Sequence, residues 1–156
     1  MSNTQAMCTS FMEQLMTGTH NFTTGTGDTF KAALYLASAT YNASTTAYSA
    51  TGEVTGTNYS AGGVTVTNGT SPSSTNTSAT AGTAYWTPSA SIQYGSSGSP
   101  VTLSTAFDAV LIYNSSKSDK AVSVHTFGSQ TVTAGVFTLT MPVNATSTAL
   151  LRLATT

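Results

Sequence analysis

Charge is what this chain has least of. It holds five acids and four Lys or Arg, for a formal net charge of −1. A catalytic centre gathers several groups that move protons, bind metal or stabilise developing charge. Five scattered carboxylates, two histidines and one cysteine leave little to build one from, so enzymatic activity and a bound cofactor are not expected. Phosphate-backbone binding needs clustered Lys and Arg. The three lysines and one arginine here are dispersed, which speaks against a nucleic-acid partner.

Cysteine is nearly absent too. Cys8 stands alone, so an internal disulfide is excluded and a reducing place of synthesis is favoured. No apolar run approaches the 18 residues of a membrane-spanning helix, and no membrane partner is expected. The opening Met1-Ser2-Asn3-Thr4-Gln5 has neither a basic segment nor a following apolar run, so a secretory signal is not expected and synthesis in the cytoplasm is. A near-zero net charge also gives little protection against self-association, which a protein working at high local density tolerates or exploits.

What the chain does have is Ser and Thr, about a third of its residues, with 39% apolar residues to form a core. Threonine's branched side chain suits half-buried strands, and both hydroxyl residues suit turns. Seven of the eight asparagines fall in Asn-x-Ser/Thr triplets: Asn21, Asn42, Asn58, Asn68, Asn76, Asn114 and Asn144. Such triplets accept glycans in secreted proteins. Turn chemistry accounts for them better, because Asn and Ser/Thr both favour loops and strand ends.

Periodicity predicts one helix over residues 4–16, where Cys8, Phe11, Met12, Leu15 and Met16 recur at three- and four-residue spacing. Asn3 or Thr4 is placed to cap it and Gly18 to stop it. Its methionine-rich stripe suits an adaptable contact surface. It reads either as a lid on one end of its own β-core or as a contact to another subunit. Met7, Phe11, Met12, Leu15 and Met16 are the candidate interface residues.

The remainder reads as short strands. They are expected over residues 29–37, 64–67, 84–86, 91–94, 101–107, 109–113, 121–127, 131–133, 136–141 and 149–153. Loops are expected over 40–59, with spaced tyrosines, and over 70–83, which is low in complexity. Residues 114–119 form a hairpin loop, and 128–135 contain turns. Strands at roughly ten-residue spacing predict an all-β fold, an antiparallel β-sandwich of immunoglobulin-like or jelly-roll-like type with one N-terminal helix. Residues 1–20 would form a helical arm and 21–156 the sandwich domain.

The residues able to carry chemistry read as structural. His20 follows the helix, where it caps carbonyls or favours the helix dipole; His125 falls within a strand. Two distant histidines and one cysteine do not make a zinc set. Cys8 lies on an apolar stripe, as core cysteines do, with no base assignable to it. Asp119, in an Asn/Ser-rich loop, is the one nucleus for calcium, and Asp108 stands alone. Tyr41, Tyr48 and Tyr59 either pack over the rim of the fold or form a sugar or protein contact.

Several segments together resemble a known group of proteins. They are Met7-Cys8-Thr9-Ser10-Phe11, Thr19-His20-Asn21-Phe22 and the stretches 29–35, 39–48, 52–63 and 109–114. These resemble a family of small structural proteins encoded by tailed bacteriophages. The likeness covers most of the chain. It is specific over 53–63 and 111–114 and loose over 71–105, where this chain is longer than the family pattern. It implies a virion component without enzymatic activity, one of the head, capsid-decorating or tail-associated proteins, with no catalytic residues to carry over. The first expectation is a decoration or knob protein on the capsid surface, in a homo- or hetero-oligomer that contacts the major capsid protein or other virion proteins. The alternative is a tail or fibre module that binds host surface glycans, with Tyr41, Tyr48, Tyr59 and Trp86 as stacking faces.

Overall fold

The computed structural model describes residues 2–76 and 78–155. In chain order its elements are β1 (Ala6–Met7), α1 (Thr9–Met16), β2 (Phe30–Leu36), β3 (Val64–Thr65), β4 (Ser73–Asn76), β5 (Gly82–Trp86), β6 (Ile92–Tyr94), β7 (Val101–Asn114), β8 (Lys120–Gly135), β9 (Phe137–Leu139) and β10 (Leu151–Ala154). The fold is mainly β, with one short helix. All ladders are antiparallel, in sheets ordered β1-β8-β7-β2-β3, β10-β5-β4 and β6-β9.

The core sits where apolar residues run without alternation. Residues 32–35 of β2, 109–114 of β7 and 121–124 of β8 are all buried. A strand buried on both faces has no polar side to present, which is why these stretches lack a two-residue period. Aromatic rings show what covers each face. Phe30 stacks on Phe22 with ring centroids 4.2 Å apart and lies 6.0 Å from Trp86 of β5. Five residues on, Tyr35 points to the opposite face and meets Tyr41 at 3.7 Å. Tyr113, paired with Lys31 and so on that same face, stacks on Tyr48 at 4.8 Å. The two-stranded sheet is anchored through Tyr94, whose hydroxyl donates to the Ala32 carbonyl at 3.0 Å, and Phe137, edge-on to Phe107.

The structure departs from the sequence-based expectations in several places. The helix begins at Thr9, not residue 4. Residues 6–7 pair with Val124 and Ser123 of β8 instead, and the Cys8 N–H donates to Val122 O at 3.0 Å. Asn3 is no cap: its side chain donates to Leu36 O and to Asp108 Oδ1 and accepts from Tyr41 N. Gly18 ends the helix as expected, at φ +68°. The segments 101–107 and 109–113 form one strand, and 128–135 continue β8 in place of turns. The loop expected at 70–83 contains β4, whose four side chains are all exposed, and the start of β5. Strands expected at 64–67 and 136–141 shorten to β3 and β9.

Along the far half of the β7–β8 hairpin the ladder slips repeatedly, between Ala109↔Thr126 and Phe107↔Gln130, then Leu103↔Val132, then Val101↔Gly135. At each slip one strand carries extra residues, as at a β-bulge, which bend and twist it. Beyond Val124 no strand pairs with the outer side of β8 among the described residues.

Three of the seven asparagine triplets make turns. Asn21, Asn42 and Asn114 each accept, through Oδ1, the backbone N–H two residues on, at 2.8–3.1 Å. That is the Asx-turn, which explains an Asn followed by a small hydroxyl residue at this spacing.

Candidate functional site

The helical stripe opens onto a cleft. On one side Met7, Phe11 and Leu15 face it, and on the other Ala84, Tyr85 and Trp86 of β5 with Leu151 and Leu153 of β10. Phe22 and Pro72 complete the lining of this apolar hollow of about 100 Å³. Trp86 is fixed in place because its indole N–H is shared between Asn68 Oδ1 at 3.1 Å and Thr70 O at 3.0 Å. A second, polar hollow of about 420 Å³ shares Met7 and Leu151 with it, and has Gln5, Thr83, Ser123, His125, Thr146 and Arg152 among its walls.

Arg152 is the one formally charged residue lining either hollow. Its guanidinium donates to Ser147 O at 2.9 Å and Thr146 O at 3.5 Å, and no carboxylate pairs with it among the described residues. His125 lies within hydrogen-bond distance of Ser123 Oγ, at 2.9 Å from Nε2. Burial draws its pKa down to about 4, so the ring is neutral at pH 7. One hollow is therefore apolar and the other polar, and the one cation belongs to the polar one.

Of the candidate interface residues, Met7, Phe11 and Leu15 meet in the apolar hollow, while Met12 and Met16 lie on the outer side of α1, 42% and 84% exposed. Cys8 is fully buried, and burial pushes its thiol up to about 11, which disfavours the reactive thiolate. His20 and His125 have separate sets of partners. His20 bonds Gln14 Oε1 at 2.7 Å and Asn114 Nδ2 at 2.9 Å. An amide NH₂ only donates, so Nδ1 accepts and Nε2 carries the proton. Burial lowers the His20 pKa, and the nearby Asp28 charge partly offsets this. Burial acts to raise the Asp28 pKa, but bonds from Asn114 Nδ2 and the Asn21 N–H, with Lys117 at 3.6 Å, hold it below its ordinary value. No three His, Cys, Asp or Glu side chains are grouped to hold a metal among the described residues. At Asp119 the backbone carbonyl accepts Tyr48 N–H at 2.9 Å.

Sequence reasoning passed over Glu53. It is buried, and its carboxylate accepts three hydrogen bonds: Tyr48 OH at 2.6 Å on Oε2, and Tyr59 OH and Gly62 N–H, each at 2.8 Å, on Oε1. Tyr59 OH also accepts the Leu34 N–H at 2.9 Å, and Tyr113 OH donates to Gly62 O at 2.7 Å. Burial, and after it the Glu53 charge, holds Tyr48 and Tyr59 above the ordinary phenol range. Two glycines let the segment 52–63 lie this close. A Cβ at Gly56 would overlap the Thr102 carbonyl oxygen, and one at Gly63, with φ +69°, the Ala32 carbonyl oxygen. The available signal was a lone carboxylate in a Gly-bounded run with tyrosines at 48 and 59. The same geometry corrects the picture of open tyrosine faces: Tyr41 and Trp86 are buried, and Tyr48 and Tyr59 are half-buried with their hydroxyls on Glu53.

No family model, curated protein or solved structure matches this chain.

Proposed function

We propose that this chain is a non-enzymatic structural protein of a tailed-bacteriophage virion. It stands as a decoration or knob protein on the capsid surface, within a small oligomer that contacts the major capsid protein. On this reading the three sheets form a β-sandwich, with the five-stranded sheet as one layer and the smaller sheets packed on it. The observation that carries the proposal is how the few ionisable groups are used. Asp28, Glu53 and Asp108 are each held by internal donors, while the methionine-rich helix borders an open apolar cleft. A surface poor in charge also suits packing on a shell, where desolvating ions costs free energy. The resemblance over residues 53–63 and 111–114 supports the class. Mass spectrometry and cryo-EM of tail-free heads should find the chain on their outer surface; heads lacking it would defeat the proposal.

The rival reading is a tail or fibre module that binds host glycans. Its stacking faces are occupied, since Trp86 and Tyr41 are buried in the core. A glycan array with the purified chain should stay blank, and a specific hit would restore that reading.

A further inference from the structure

We propose that the polar hollow lined by β1, β8 and β10 is a binding site for a carboxylate, held by the Arg152 guanidinium and by the Ser123–His125 pair. Its walls contain one cation and no acid. Arg152 is the chain's only arginine, and no carboxylate pairs with it among the described residues. Both bonds that its guanidinium makes, to Thr146 O and Ser147 O, come from Nη1. They anchor the group and leave its side-on fork, Nε–H and Nη2–H, without a partner among the described residues. Those two parallel donors match the two oxygens of a carboxylate.

Ser123 and His125 supply a further donor. They sit two residues apart on β8 and so project from one face, with Ser123 Oγ 2.9 Å from His125 Nε2. Ser123 is 1% exposed, which fixes the pair in the wall. The imidazole is neutral at pH 7, so the pair carries two polar hydrogens, the serine O–H and one ring N–H. One of them closes the bond between the two residues. The other has no acceptor among the described residues: it is Nδ1–H when the serine donates, and the serine O–H when Nε2 donates. Either tautomer therefore leaves one donor spare. Unused donors beside one uncompensated positive charge call for an anionic acceptor, and a single cation favours a monoanion over a dianion such as sulfate. At about 420 Å³ the hollow far exceeds the roughly 10–15 Å³ that one water needs, so an organic acid has room in it. This goes beyond the virion reading and does not depend on it.

The test is an NMR titration of the full, nitrogen-labelled chain with sodium acetate at low ionic strength, where screening is weakest. The Arg152 Nε–H and His125 ring signals should move together along one saturating curve, with a dissociation constant in the millimolar range. Acetamide, uncharged and of similar shape, should move neither. Arg152→Gln should raise the dissociation constant about tenfold or more, and Ser123→Ala combined with His125→Phe about fivefold. Arg152 is exposed, so its variant should melt like wild type and carries the test should the buried double change unfold the chain. A capped Ala-Glu-Ala peptide offers the same group on a polypeptide. Tighter binding than acetate names a protein side chain as the source and weaker binding a free small acid, and both support the site. The absence of a saturating shift by about 100 mM acetate overturns the proposal. So does an equal response to chloride or sulfate, which marks an adventitious ion only, or an Arg152→Gln chain that binds acetate as wild type does.

Discussion

The Glu53 segment and the polar hollow beside β10 use charge in opposite ways. Glu53 has both carboxylate oxygens engaged by donors from its own chain, and the Tyr59 hydroxyl that reaches it also accepts the Leu34 N–H. Arg152 donates to two backbone carbonyls and lines a polar hollow with no acid in its walls. The first arrangement is closed and fixes the fold; the second is open. In a chain this poor in ions, the state of each one separates scaffold from surface.

That contrast breaks most readily at Glu53. Glu53→Ala leaves two phenols and one backbone N–H without their acceptor and should cost about 3 kcal/mol in urea unfolding. A loss under 1 kcal/mol would mean the segment is not closed in the sense argued. Gly63→Ala should cost about 2 kcal/mol, because the new methyl meets the Ala32 carbonyl at a backbone angle that L-residues avoid. The same change at Gly18, where nothing lies within 4 Å, tests how much of that is the clash and how much the angle.

Acid and alkali should attack the two regions from opposite sides. His125 is held near 4 when folded and returns to about 6.5 on unfolding. Between those values the unfolded chain binds more protons, so stability falls on acidification through this window, by about 3 kcal/mol. His125→Gln should flatten that slope. Tyr113 is raised to about 12, by burial first and then by the charges of Asp119 and Glu53. Above about pH 10 the unfolded chain loses this proton first, so stability falls as pH rises toward 12. Unfolding midpoints across pH, with and without the His125 change, separate the two arms. The smallest effect is expected at Met16: Met16→Ser should move stability by less than about 0.5 kcal/mol, since the side chain has little native packing to lose.

The sequence disclosed the parts of the fold in which side-chain pattern and burial coincide. The apolar runs in β2 and at 109–113 were legible because both faces of those strands are covered. Gly18 marked the helix end because the backbone there turns left-handed. β4 was illegible: Ser73–Asn76 is held by backbone pairing to β5 with every side chain exposed, so no alternation exists to read. The far half of β8 hid behind Gly128 and its repeated bulges, which imitate turns in sequence. Met7 misled for another reason. Its four-residue spacing from Phe11 fits a helix, yet an extended Met7 reaches the same cleft from β1. The stripe was thus assigned partly to the wrong element. Glu53 could not be found from spacing, since its partners come from 48, 59 and 62 and meet only when the loop closes over β2.

The bulged hairpin bears on life at high copy number. Residues 121–151 contain no Asp, Glu, Lys or Arg, so no electrostatic gatekeeper guards the longest bare margin of the five-stranded sheet. The slipping register does that work instead, because an incoming strand from a neighbour finds only a few residues in step before the spacing changes. Edge-to-edge addition of one copy to the next is thereby opposed by geometry and not by charge.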